Sequence, residues 1–132
     1  MSINEGGLMK KLTSFIATLV FVATVANAFA QQTSSFTVSL SSGECQGFHF
    51  LDVLPGQTAD AQVSLIETKP KHNAVFEVDL ANNNRQVQCY SDGSSPLSCN
   101  SANLPPESYF VWGCLLSSGK ATILLQTTAN LQ

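Results

Sequence analysis

Charge is what this 132-residue chain has least of: only 11% of it is Asp, Glu, Lys or Arg, and the basic residues number six. Nucleic acids and anionic membrane surfaces need a basic patch, so both are excluded as partners. Catalytic signatures are missing too. There is no HExxH helix, no G-x-S-x-G elbow and no C-x₂-C pair, which removes the zincin, α/β-hydrolase and zinc-ribbon readings. Past the first 30 residues no long run carries apolar residues at helical spacing, so a helical bundle is excluded as well.

The N-terminus reads as an export signal. Lys10 and Lys11 form a positive start, Leu12 to Ala26 is apolar apart from Thr and Ser, and small residues follow at cleavage spacing as Ala26-Asn27-Ala28 or Ala28-Phe29-Ala30. The run falls short of the roughly 20 apolar residues of a membrane span, and polar Gln31 to Ser35 follow it. No stable span is therefore expected after cleavage. Met9-Lys10-Lys11 resembles a natural start, which makes residues 1–8 an upstream extension. Residues 1–30 are thus expected to be removed and 31–132 to form a single domain, secreted or periplasmic. That segment carries four cations against eight acids, a net charge of −4.

Four cysteines, all beyond the signal, form an even set in an oxidising compartment, and three pairings exist. Cys89 and Cys99 stand ten residues apart, with Ser91 to Pro96 able to reverse the chain between them. Pairing these two leaves Cys45 with Cys114. Chain entropy assigns roughly 2.8 kcal/mol to the short loop and roughly 4.4 kcal/mol to the long one.

The period of the apolar pattern is two nearly throughout. Phe36, Val38 and Leu40 open the series. Gln46 to Val53 follows, with Phe48 and Phe50 on one face and His49 and Leu51 on the other. After the Pro55-Gly56 turn comes Ala59 to Ile66, with Ala61, Val63 and Leu65 inward. Ala74 to Leu80 points Phe76, Val78 and Leu80 inward and Glu77 and Asp79 outward. Asn82-Asn83-Asn84 predicts a tight turn, since Asn tolerates the left-handed conformation. Arg85 to Tyr90 returns with Val87 and Cys89 on one face. A polar loop then leads to Ser108 to Leu116 and a last strand, Ala121 to Thr128. About seven strands with short turns predict an all-β fold, an antiparallel two-sheet sandwich. Trp112 lies two residues before the last cysteine rather than midway between bridged cysteines, which favours a jelly-roll-like over an immunoglobulin-like order.

The order of features from Phe48 onward resembles the bacterial pre-peptidase C-terminal domain. It runs through an aromatic strand closing on Pro55-Gly56, the Asp79-Leu80 step, and the Asn-rich turn at Ala81 to Asn84. Cys89-Tyr90-Ser91 and Cys99 come next, then Leu104-Pro105-Pro106 leading into Tyr109-Phe110-Val111, and the Ser118-Gly119 turn. The chain departs from that pattern at Glu107-Ser108, where the family usually has a Gly, and in lacking an aromatic after Asp79-Leu80. The resemblance implies a binding or accessory β-sandwich that engages calcium or an extracellular polymer or protein.

Residue by residue, the chemistry is thin. His49 and His72 read as a packed or surface His and a turn His. Paired cysteines offer no nucleophile. No cofactor is expected; Asp79, Asn82 and Asp92, with Asn83 and Asn84, are weak calcium candidates, because six to eight oxygens are usual and no EF-hand spacing is present. In the doubly apolar strand, Phe110 and Trp112 are either covered or form an outward patch suited to a polysaccharide or a protein. The expected function is non-enzymatic binding of an extracellular or periplasmic partner. The rivals are a protease inhibitor presenting the Cys89–Cys99 loop and a small hydrolase.

Overall fold

The structure is a computed structural model. It describes the backbone of residues 2–5, 8–12, 18–26, 29–69 and 73–132, and the side chains of 31–69 and 73–132. Every regular element among the described residues is a strand. Eight make the body of the fold: β4 (Phe29–Ser41), β5 (Glu44–Asp52), β6 (Ala59–Glu67), β7 (Phe76–Asn82), β8 (Val87–Gly93), β9 (Leu97–Leu104), β10 (Ser108–Leu115) and β11 (Lys120–Leu131). Three more, β1 (Ser2–Glu5), β2 (Leu8–Leu12) and β3 (Thr18–Ala26), come from the segment read as an export signal. They lie outside the eight, with β3 antiparallel on β4, β2 parallel on β5, and β1 on β2.

One sheet runs β5-β10-β7-β8 and the other β4-β11-β6-β9. Numbered along the eight, these orders are 2-7-4-5 and 1-8-3-6, a jelly roll. Among these eight, only β7 and β8 are joined as neighbours within one sheet. Every other connection crosses from sheet to sheet, so inward positions of both sheets meet in one core. Phe36 of β4 stacks on Phe48 of β5 with ring centroids 4.5 Å apart, and Phe76, Val78, Leu80, Tyr109 and Val111 are fully buried opposite Ile123 and Leu125. No helix among the described residues is long and apolar enough to cross a membrane.

Both disulfides pair as the sequence predicts, and they act in different places. Cys45 and Cys114 face each other across β5 and β10 within one sheet. Cys89 of β8 and Cys99 of β9 join the edge strands of opposite sheets, closing the open side of the sandwich.

Three local expectations fail. The polar loop after Cys89 contains an eighth strand, β9, whose ends Leu97 and Leu104 are its only buried positions; such an edge strand carries little hydrophobic signal. A bulge at Phe50 turns both Phe50 and Leu51 into the core instead of opposing them. A second bulge at Gln88 sets Cys89 opposite inward Leu80 but Val87 opposite outward Ala81, and Val87 is 54% exposed. Asp79 faces outward as expected, yet it is buried, because the outer surface of this sheet is itself partly roofed.

Candidate functional site

The roof stands over Trp112. Tyr109 and Val111 enter the core, while Phe110, Trp112 and Cys114 alternate to the outer face of the same strand. Trp112 lies flat on Gly47, its partner on β5; a Cβ at Gly47 would meet the indole ring at 2.5 Å. Glycine in a strand interior here permits a close approach. From the other side, the Arg85 guanidinium sits 5.0 Å from the ring centroid, in cation–π range. Cys45, Cys114 and Ala81 complete the box, and Trp112 is only 3% exposed.

Arg85 reaches that position through the turn between β7 and β8. The Asn82 carboxamide accepts bonds from the backbone N–H groups of Asn84 (3.0 Å) and Gln86 (2.9 Å), and it donates to the side chains of Gln86 and Glu107. In this turn the left-handed residue is Arg85, with φ 66°, and not Asn82, Asn83 or Asn84. A non-glycine there costs about 1–2 kcal/mol. Asn82 thus serves as the organiser of the turn rather than as a free calcium ligand.

Across the four strands the outer face forms registered rows. Val87, Ala81, Phe110 and His49 make the first; Tyr90, Asp79, Trp112 and Gly47 the second; Asp92, Glu77, Cys114 and Cys45 the third. Phe110 is half-buried, and Tyr90 is 49% exposed. The sequence therefore points Phe110 and Trp112 to the correct face, but only Phe110 is accessible. Val87 and Tyr90, which join it at the surface, were not singled out from the sequence. Gly47 was missed as well, although a lone glycine within an aromatic strand is a readable sign of close contact.

At one rim, His49 Nε2 lies 2.8 Å from Asp52 Oδ1, and the same oxygen accepts a 2.6 Å bond from the Ser108 hydroxyl. These bonds, that from Ser108 foremost, hold the Asp52 carboxyl below the usual carboxylate range against a smaller opposing effect of burial. Ser, His and Asp thus gather, but the carboxylate sits between the other two. A triad needs the imidazole on the hydroxyl and the carboxylate behind the imidazole; this order leaves the serine unactivated. The His49 ring meets Phe110 edge-on at 5.5 Å. His72 lies outside the described residues.

At the other rim the Tyr90 hydroxyl donates to Asp92 at 2.8 Å. That bond, with burial and the nearby Glu77 carboxylate, raises the phenol's pKa, so Tyr90 stays protonated. The Glu77 carboxylate approaches the Cys114 sulfur at 3.4 Å. Cys45, Glu77 and Cys114 are the only trio of His, Cys, Asp or Glu among the described residues whose ligand atoms converge. With both sulfurs in the disulfide, no thiolate is offered to a metal. Asp79 and Asp92 join no such group.

No family model matches the chain, and no curated protein matches it in sequence. Solved structures do match. The pre-peptidase C-terminal domain of a Bacillus anthracis collagenase aligns over 94% of this chain and 99% of its own, at 12% identity and a TM-score of 0.47. A periplasmic inhibitor of g-type lysozyme from Aeromonas hydrophila aligns over 91% and 95%, at 12% identity and 0.49. A mitogen from Yersinia pseudotuberculosis aligns over 73% and 84%, at 14% identity and 0.47. The likeness is one of fold. It includes the pre-peptidase C-terminal domain that the sequence resembles.

Proposed function

We propose that the chain is an exported, non-catalytic binding domain that engages an extracellular or periplasmic protein or polysaccharide on the outer face of the β5-β10-β7-β8 sheet. The observation that carries this reading is the first registered row, in which exposed Val87 and half-buried Phe110 flank Ala81, with His49 at the rim and Tyr90 one row away. Partly exposed aromatics on rigid strands supply contact area at low entropic cost. Trp112 serves from beneath: packed on Gly47 and covered by Arg85, it fixes the strand that presents Phe110. Two disulfides accord with an oxidising compartment and with removal of residues 1–30. The serine–aspartate–histidine order described above supports a non-catalytic role.

The test is capture from the host's periplasmic or secreted fraction, run beside a panel of soluble polysaccharides, with the wild-type protein and the Phe110→Ser/Tyr90→Ser/Val87→Ser variant. Selective loss in the variant, at unchanged circular dichroism, supports the face; undiminished capture by the variant refutes it.

An inhibitory role for the Cys89–Cys99 loop is the second reading. Its tip, Ser94 to Pro96, is braced by the disulfide and by a 2.7 Å bond from the Glu67 N–H to Ser95 Oγ, while Ser94 and Pro96 are exposed. Addition of the protein to trypsin-like and subtilisin-like proteases tests it. Unchanged rates would dismiss it.

A further inference from the structure

We infer that, once residues 1–30 are removed, the freed edge of β4 pairs antiparallel with β4 of a second copy, joining two four-stranded sheets across a two-fold axis. The inference rests on the removal of that segment proposed above.

The edge is competent to take a strand. β3 lies antiparallel along β4 in unbroken register from Thr18 opposite Thr37 to Ala26 opposite Phe29, nine residues in all. Removing residues 1–30 leaves the backbone N–H and C=O groups along Gln31 to Thr37 of β4 without their strand partner. Exposed edges invite pairing unless bulges, charges, proline, short length or a covering element protects them.

The other three edges of the sandwich carry such protection. β5 is bulged at Phe50 and ends in Glu44 and Asp52. β8 is bulged at Gln88, bears Asp92, and is tied to β9 by the Cys89–Cys99 bridge. β9 shares that bridge and breaks register opposite Ala59–Ala61. β4 has none of these devices. Of its 13 residues the 11 from Gln31 to Ser41 remain after the removal; they include no charged residue, proline or glycine, and they keep unbroken register with β11.

Charge selects a second copy as the occupant. The mature chain is net acidic, so most surfaces of two copies repel. Along β4 the side chains turned away from the core are Gln31, Thr33, Ser35, Thr37 and Ser39, all neutral. Two-fold pairing sets this hydroxyl-rich row against itself, and Thr–Thr or Thr–Ser cross-strand pairs are favourable while like charges are not. An antiparallel pair about a two-fold also gives a closed, isologous interface that stops at two.

The exported protein, purified after expression of the full chain, is weighed by intact mass and then by sedimentation equilibrium over a range of concentrations. The expected result is a processed chain that forms dimers. Thr33→Lys/Ser35→Lys/Thr37→Lys should weaken self-association by roughly tenfold or more, because lysines then oppose lysines across the axis. A peptide of residues 31–39 should compete the wild-type dimer apart, a measurement that does not depend on the variant's folding. An unprocessed mass overturns the removal on which the inference rests. A processed chain that stays monomeric, or a dimer indifferent to both lysines and peptide, overturns the pairing itself.

Discussion

Replacing Gly47 by alanine tests the box around Trp112 most directly. The added Cβ would lie 2.5 Å from two carbons of the indole and 2.6 Å from a third. Carbon atoms rest at about 3.5–4.0 Å, so the ring has to lift by about 1 Å or more. It has nowhere easy to go, with the disulfide at one end, Ala81 alongside and Arg85 above. Overpacking of this kind costs about 1–3 kcal/mol, and displacing Arg85 from the ring forfeits about 0.5–1 kcal/mol more. The midpoint of thermal unfolding should then fall by roughly 6–30 °C, at about 4–8 °C per kcal/mol for a domain of this size. Trp112 is the chain's only tryptophan, so its emission reports on the box alone. In the wild type it should resist acrylamide; in the variant it should become accessible and shift to the red. Wild-type stability together with an unchanged, shielded emission would refute the packing argument.

Removing each disulfide by paired Cys→Ser substitution should cost unequal amounts in denaturant titrations. With closed loops set by separations of 10 and 69 residues, chain entropy gives roughly 2.8 kcal/mol for Cys89–Cys99 and roughly 4.4 kcal/mol for Cys45–Cys114. The Tyr109 hydroxyl donates to the Pro105 carbonyl at 2.6 Å, and burial raises its pKa, so its contribution is complete below about pH 10 and is lost as pH climbs through the folded-state value. Tyr109→Phe should therefore cost about 1–2 kcal/mol at neutral pH and flatten the alkaline limb of a stability–pH profile. Asn82→Ala strips the turn of its carboxamide bonds and should cost at least about 2 kcal/mol by denaturant titration, while loosening Arg85 and raising acrylamide quenching of Trp112. Ser108→Ala removes the leading cause of the lowered Asp52 pKa, which should rise in an NMR titration. The wild-type contribution of Asp52 is present above about pH 4 and fades as pH falls through its depressed value.

The fold was legible wherever apolar and polar residues alternate strictly along the chain. Ala61, Val63 and Leu65 on β6, and Phe76, Val78 and Leu80 on β7, carry a period that only a half-buried strand produces. The pairing of cysteines was legible because only nine residues, with turn-forming chemistry, lie between two of them. β9 was not, since an edge strand with two buried ends needs no apolar alternation. The bulges at Phe50 and Gln88 were hidden because each reflects how a neighbouring strand bends rather than any local composition. Half of the candidate site was visible. Alternation along β10 sends Phe110 and Trp112 outward, but whether an outward side chain is bare depends on what crosses it. Arg85 crosses Trp112 from a different turn, in a backbone conformation its residue type does not advertise.

The placement of the long bridge sets how the domain would answer a pull on its ends. Cys45 and Cys114 stand just inside the first and last strands of the eight, and those two strands, β4 and β11, are neighbours in one sheet. Tension applied at the termini would strip β4 and β11 from the sandwich and then meet a covalent shunt. The 69-residue span between the bridged cysteines, which includes Trp112, Arg85 and the whole outer face around Phe110, would bear no load while the bridge is oxidised. Reducing conditions would lengthen the extensible chain severalfold without changing a single non-covalent contact in the relaxed protein.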